Sequence, residues 1–268
     1  MIGIFDSGYG GLTIFKEIEK KLPQHDFVYL GDNARTPYGE RSQSIIYKYT
    51  TQAVDYLFSH DCDLIILACN TASALALRKI QQEYLPKHHK GKNVLGVIRP
   101  LAEEVGELSK NSKVAVLGTT STVESGTYVE EFENIDRNIK VIQQACPLLV
   151  PLIEQSKENS PETSIVLMEY MRPIKKEEPD VVVLGCTHYG FLQNAIQNFF
   201  GDNTKVLDSG KVVAKKWIEY LENHPNIVSP ATGEPIRKFL TTNSTEKFDI
   251  AAEKFLGRKI KSKTIKLT

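Results

Sequence analysis

The 268-residue sequence has no net charge, because 33 Lys and Arg balance 33 Asp and Glu. Without a surplus of either sign there is no global electrostatic reason to coat nucleic acid or an anionic membrane, so any anionic ligand needs a local site. No apolar run reaches the roughly 20 residues of a membrane helix. The opening residues MIGIFDSGYGG carry neither the basic region nor the hydrophobic stretch of a secretory signal. A cytoplasmic location is expected. Heptad bias, collagen-like bias and low-complexity linkers are all absent. Cysteine is scarce: Cys62, Cys69, Cys146 and Cys186 are widely spread and form no CxxC pair. That argues against a zinc ribbon or a thioredoxin motif, and no metal site is expected. In a reducing compartment the four are expected to be free thiols.

What is present is ordinary for a soluble globular chain: 41% hydrophobic and 25% charged residues. The length allows one sizeable core or two smaller ones. Short β-branched and aliphatic runs alternate with longer amphipathic stretches, the α/β pattern. Strands are expected at Ile2–Asp6, Phe27–Gly31, Leu64–Ala68, Val94–Ile98, Lys113–Gly118, Lys140–Gln144, Val181–Gly185 and Lys205–Leu207. Helical patterns include Leu12–Lys21, Ser42–His60, Thr71–Glu83, Pro147–Ser156, Glu162–Met171 and Gly210–Asn223, with short loops between. The strands repeat in order. IGIFDS from residue 2 resembles VAVLGTTS from 114, and FVYLGD from 27 resembles KVIQQACP from 140. DLIILACNT from 63 resembles DVVVLGCTH from 180, and VLGVIRP from 94 resembles KVLDSG from 205. Apolar strands resemble one another by chance, but the third pair also matches in its polar residues. Two similar α/β halves follow.

In that third pair each half places a cysteine directly after a buried strand: Cys69 in ACNTAS and Cys186 in GCTHYG. Open α/β sheets bind ligands at the C-terminal ends of their strands. A thiol there meets a crevice, and a helix start just beyond is expected to lower its pKa. Two thiols across one cleft suit proton transfer at a carbon from opposite faces, which inverts that carbon. Disulfide exchange and acyl transfer are the competing chemistries. Cys186 with His188 could serve acyl transfer, but that leaves Cys69 unexplained. SGYGG is not GxGxxG, so a dinucleotide site is poorly supported; its glycines fit a sharp turn and close backbone approach.

The chain resembles the bacterial glutamate racemases, of the cofactor-independent aspartate/glutamate racemase family, over nearly its whole length. The likeness rests on FDSGYGGL at 5–12, YLGDNARTPYG at 29–39, ACNTAS at 68–73, ACPLLVPLIE at 145–154, LGCTHYGFL at 184–192 and DSG at 208–210. It implies two pseudo-symmetric three-layer α/β domains with mainly parallel sheets and the active site in the interdomain cleft. The second domain, 98–207, would be inserted into a discontinuous first domain, 1–97 plus 208–268. The activity implied is interconversion of L- and D-glutamate, supplying D-glutamate for peptidoglycan, with no cofactor. By the same resemblance Cys69 is the thiol that serves the D-enantiomer and Cys186 the L-enantiomer. Asp6 assists Cys69, His188 assists Cys186, and Glu154 is a further carboxylate near the second thiol. Ser7, Tyr38, Gly39, Asn70, Thr71, Thr119 and Thr187 match substrate-binding positions, joined by Asp6 and His188.

Plainer roles stand beside these. Asp6 could be a turn or helix-cap residue, His188 a packing residue and Glu154 part of a solvated helix face; Ser7 and Thr71 could cap helices. Cys62 and Cys146 read as packing residues, the latter near the cleft. His88 and His89 lie in a polar KHHKGK loop without metal-binding companions, and Arg258 to Lys266 read as a solvated basic tail. Arg99 departs from the acidic or neutral residue expected after its strand, which bears on domain packing. The rivals are an aspartate racemase or other two-cysteine amino-acid racemase, and a non-catalytic amino-acid-binding regulator. The related aspartate enzymes carry Glu where His188 stands, and the two intact cysteines argue against a regulator. The family forms dimers in more than one arrangement, so a homodimer is implied with no legible interface. The chain begins at its first strand, so activation by a cell-wall precursor is not expected.

Overall fold

Runs such as Ile2–Phe5 and Leu64–Leu67 carry apolar side chains on both faces, and such strands persist where helices cover both sides of a parallel sheet. The computed structural model describes residues 1–268. Six strands form the first sheet: β1 (Ile2–Asp6), β2 (Phe27–Gly31), β3 (Leu64–Leu67), β4 (Asn93–Leu95), β9 (Arg237–Thr241) and β10 (Ser262–Thr264). Four form the second: β5 (Lys113–Gly118), β6 (Lys140–Ala145), β7 (Val181–Gly185) and β8 (Lys205–Leu207). The orders are β10-β9-β2-β1-β3-β4 and β6-β5-β7-β8, and every pairing is parallel. The segment β2-β1-β3-β4 thus repeats as β6-β5-β7-β8, giving two α/β domains.

The repeat extends to register. Ile2 pairs with both Phe27 and Leu64, and Val114 pairs with both Val141 and Val181. Ser7 and Thr119 therefore hold matching places beyond β1 and β5, and Cys69 and Cys186 hold matching places beyond β3 and β7. In each sheet the chain first adds a strand on one side of the central strand, then crosses to the other. That reversal opens a crevice at the strands' C-terminal ends.

A core of 34 buried residues joins the domains. It combines Ile4 and Ile66 of the first sheet, Val116 and Val183 of the second, and the helices Leu12–Lys21, Ile98–Leu108 and Ser209–Asn223. Each fully buried aliphatic side chain contributes about 1.5–3 kcal/mol. Ion pairs across the same boundary, such as Arg78 to Glu130 at 3.0 Å with both side chains more than half exposed, contribute about 0–1 kcal/mol each. Apolar burial therefore sets how the domains are joined. Arg99 lies on helix Ile98–Leu108 and pairs with Glu103 of that helix and Glu131 of helix Thr127–Glu133, so its ion pairs stay within residues 98–207.

Several expected elements are corrected. The strand at 94–98 stops at Leu95, and Ile98 already begins a helix whose first turn tolerates Pro100. The helix expected over 71–83 is broken: Asn70–Leu75 ends at Ala76, whose backbone leaves helical geometry (φ −122°), and a π-helical turn follows at Ile80–Tyr84. Strands β9 and β10 were not expected. They are short, partly polar and at one edge. The basic tail supplies β10 and buries Ile265, and Arg258 pairs with Glu19, so it is not simply solvated. Not every loop is short, since residues 224–236 hold no helix or strand. No helix is long and apolar enough to cross a membrane.

Candidate active site

The crevice ends of β1, β3, β5 and β7 deliver Asp6–Ser7, Cys69, Thr119 and Cys186 toward one place. Cys69 has extended backbone and immediately precedes helix Asn70–Leu75. Its sulfur accepts the Ala72 amide at 3.4 Å and lies 3.3 Å from the Ser7 hydroxyl. Cys186, also extended, precedes the 3₁₀ turn Thr187–Leu192, and its sulfur lies 3.8 Å from His188 Nδ1. Both cysteines line one small cavity, together with Ser7, Tyr38, Gly39, Asn70, Thr71, Thr119, Thr187 and His188. Asp6 and Glu154 stand behind this wall. Asp6 is fully buried, and Glu154 Oε1 meets His188 Nε2 at 3.2 Å. All four cysteines are free and buried; Cys146 also lines the cavity, whereas Cys62 packs against Gly3 far behind it.

The glycines of SGYGG permit this contact. A side chain at Gly10 would run into Thr187, whereas one at Gly8 would only touch Glu154 and His188 at ordinary contact distance. Gly39 would likewise meet Thr119, with an added Cβ 2.5 Å from the Thr119 Cβ. Three threonine hydroxyls bridge the domains: Thr71 lies 3.0 Å from Thr119 and 3.1 Å from Thr122, and the last two are 2.9 Å apart. Ser121 closes the cleft mouth, donating its hydroxyl to Gly39 O at 2.8 Å and Arg41 O at 3.1 Å, and its amide to Gly39 O at 2.9 Å. The cavity is only about 60 Å³. Small-molecule sites begin near about 300 Å³, so a ligand of more than a few atoms requires the domains to part.

Burial governs the charges. It pushes the Cys69 thiol up to about 12, helped by the neighbouring Asp6 charge and opposed by hydrogen bonds from Ser7 and Ala72. The lowering expected from a helix start is thus outweighed by loss of water. Burial also raises Asp6, against the His188 charge and the amides of Gly11 and Gly8. For His188, burial opposes the charged ring. Its contacts with Cys186 and Glu154 outweigh that and raise it to about 10. This raised value links to stability with a definite sign. The imidazolium stabilises the fold fully below its ordinary 6.5, and the contribution is lost as pH rises through about 10. We expect His188→Asn to lower the melting temperature most below about pH 6.5, with the difference from wild type shrinking steadily as pH rises toward 10. Thermal melts across that range check it; a gap that stays constant would contradict the charged-ring assignment.

Among the buried polar atoms without a partner, two belong to this site: the Asn70 side-chain nitrogen and Asp6 Oδ1. Asn70 Oδ1 is held by the Tyr128 hydroxyl at 2.6 Å, which leaves the amide nitrogen as a fixed donor at the cleft. An unmet buried polar group costs about 1–3 kcal/mol, a deficit that a bound carboxylate or ammonium would remove.

Sequence reasoning did not single out Thr122, Ser121 or Asp32. Thr122 follows Thr119 by three positions at a helix start, a spacing that places both hydroxyls together. Asp32 lies within the quoted GDNARTPYG. It is fully buried and accepts from Tyr38 OH at 2.5 Å, Arg35 Nε at 2.6 Å and Thr242 Oγ1 at 2.8 Å. It fixes the Tyr38–Gly39 loop over the cleft and ties it to the segment after β9. Burial and the Asp32 charge push the Tyr38 phenol far above its ordinary range, so it stays a donor.

Two thiols at equivalent strand ends of paired α/β domains, one beside a carboxylate and the other beside an imidazole, line one cavity between the domains. The sequence profile of the Asp/Glu/Hydantoin racemase family matches residues 10–217, and the chain belongs to that family. Its full-length relatives are named more narrowly. The glutamate racemase of Sulfurihydrogenibium sp. (strain YO3AOP1) is 38% identical over 268 residues, covering 100% of this chain and 97% of that protein. Among solved structures, glutamate racemase isoform RacE1 from Bacillus anthracis superposes with a TM-score of 0.92 at 32% identity, covering 100% of this chain and 97% of its own. The Francisella tularensis glutamate racemase in complex with D-glutamate gives 0.89 at 31% identity, covering 99% and 97%.

Proposed function

We propose that the protein interconverts L- and D-glutamate by moving a proton on and off Cα between Cys69 and Cys186, without a cofactor, and so supplies D-glutamate for peptidoglycan in the cytoplasm. The observation that carries this reading is the pair of cysteines at matching register positions, both lining one cavity. The full-length likeness to glutamate racemases selects the substrate.

From L-glutamate, Cys186 removes the α-proton, with His188 able to take or give a proton behind it. Cys69, held protonated by burial, delivers a proton to the opposite face. From D-glutamate the roles reverse. Cys69 must then be a thiolate, and the substrate's α-ammonium supplies the positive charge that favours it. In this reading Asp6, which keeps one unpartnered oxygen behind Cys69, receives that ammonium once the domains part. The Asn70 amide and the hydroxyls of Ser7, Thr71, Thr119 and Thr187 serve the carboxylates. Preorganised donors in a closed, water-poor cleft stabilise the charge that develops when Cα loses its proton. Thr122 braces Thr71 and Thr119.

In this reading residues 98–207 form the inserted domain and 1–97 with 208–268 the other, and the two part to admit glutamate. A homodimer belongs to the same reading and is checked by sedimentation equilibrium. Purified protein with L- or D-glutamate and no added cofactor is expected to approach the same racemic mixture from both sides. Absence of turnover, or dependence on pyridoxal phosphate, would overturn the proposal.

A further inference from the structure

Tyr128 touches the chain neighbours of both cleft cysteines. It follows β5, in the half that carries the second sheet, and is the second residue of helix Thr127–Glu133, which Gly126 begins with a left-handed turn (φ 68°). Its side chain is fully buried. The ring packs against Gly185, the residue before Cys186: a Cβ there would lie 3.3 Å from Tyr128 Cε2. The hydroxyl donates at 2.6 Å to Oδ1 of Asn70, the residue after Cys69. The adjacent Thr127 hydroxyl donates to Ala74 O at 3.0 Å, so two hydrogen bonds tie this helix start to helix Asn70–Leu75. Asn70 lines the cleft, and its buried side-chain nitrogen has no partner. A side-chain amide can turn by 180°, but only one orientation suits this phenol. With the nitrogen toward it, the hydroxyl would have to accept, and its own proton would be buried without an acceptor. Burial, helped by the Cys186 charge, keeps that proton in place by pushing the phenol far above its ordinary range.

We propose that Tyr128 is a positioning residue for the racemisation: its hydroxyl turns the Asn70 amide nitrogen toward a substrate carboxylate, and its ring fixes that donor relative to Cys186. The inference rests on the racemase reading above. Tyr128 touches no substrate in this scheme; it acts through Asn70. The hydroxyl and the amide come from different halves, so the donor is aimed only while the cleft is shut, and parting the domains frees the amide to turn. Without the hydroxyl, the amide oxygen is free to face the carboxylate, where two acceptors repel. Both enantiomers carry that carboxylate, so both lose affinity, while the thiols keep their places.

The test is a double-mutant cycle on initial rates from L- and from D-glutamate, with wild type, Tyr128→Phe, Asn70→Ala and the double variant. Phe keeps the ring on Gly185 and its stacking on Phe132, with centroids 6.1 Å apart, so only the hydroxyl is lost. Tyr128→Phe should raise KM for both enantiomers about tenfold, the effect of one lost hydrogen bond to a charged group, with a smaller change in kcat. In the Asn70→Ala background the same substitution should change KM by less than about twofold. An unchanged KM in Tyr128→Phe would overturn the proposal. So would effects that multiply in the double variant, which is what a tyrosine acting only on the fold would give. A wild-type measurement stands beside the variants: the Asn70 side-chain NH2 resonances, identified by their loss in Asn70→Ala, should shift on titration with D-glutamate. Resonances that stay in place as glutamate binds would overturn the proposal even if Tyr128→Phe does not fold. If the wild type does not racemise glutamate at all, the functional reading fails, whereas an unchanged KM in an active Tyr128→Phe enzyme strikes this inference alone.

Discussion

Cys69→Ala and Cys186→Ala are each expected to abolish racemisation from both L- and D-glutamate, by about 1,000-fold or more, since one acid/base step contributes about 100- to 10,000-fold. In the proposed scheme each thiol is the base in one direction and the acid in the other, so removing either breaks both reactions. The losses should appear without unfolding. Alanine leaves only a small void at either place, and the strands that position the two residues are held by the buried faces of β3 and β7. Initial rates followed by polarimetry, with melting curves beside them, decide the matter. A variant that keeps wild-type turnover in either direction would exclude the two-thiol scheme. Cys62→Ala is the matched control. That thiol is fully buried, away from the cleft, so its replacement should leave the rate within a few-fold.

Aspartate should be a poor substrate or none. In the proposed scheme Cα sits between the two sulfurs, and the donors that would bind the distal carboxylate are fixed by strand ends and by a loop locked through Asp32 and Tyr38. A side chain one methylene shorter must leave either the distal contacts or the thiols. Misplacement by about 1 Å costs about 100-fold. We expect kcat/KM for aspartate at least that far below glutamate. Comparable values for the two substrates would move the function to an aspartate racemase.

The paired halves could be read from the sequence because the strands that bracket the site are the apolar ones. β1, β3, β5 and β7 announce themselves by composition, and the polar residues after them, Ser7, Cys69, Thr119 and Cys186, fall at the same register. Strands β9 and β10 were illegible for the opposite reason: Arg237, Lys238 and Ser262–Thr264 are polar, at a sheet edge, and paired by tertiary contact rather than local preference. The break at Ala76 leaves no mark on the helical pattern of Thr71–Glu83 because it is a backbone adjustment within a continuous amphipathic stretch. The raised Cys69 thiol was also out of reach. Burial decides it, and burial appears only when the two domains close. Thr122 and Ser121 reach the cleft through partners in the other half, Thr71 and Gly39, which no local spacing connects.

The most direct measurement of the central claim is the fate of the α-hydrogen of D-glutamate in deuterium oxide. Low-conversion samples are separated by enantiomer and weighed by mass spectrometry. If Cys69 removes the hydrogen from one face and Cys186 delivers from the other, every L-glutamate formed carries a solvent deuteron at Cα, and the recovered D-glutamate keeps its original hydrogen. Retention of the substrate hydrogen in the L-product would mean that one base serves both faces, and would contradict the account.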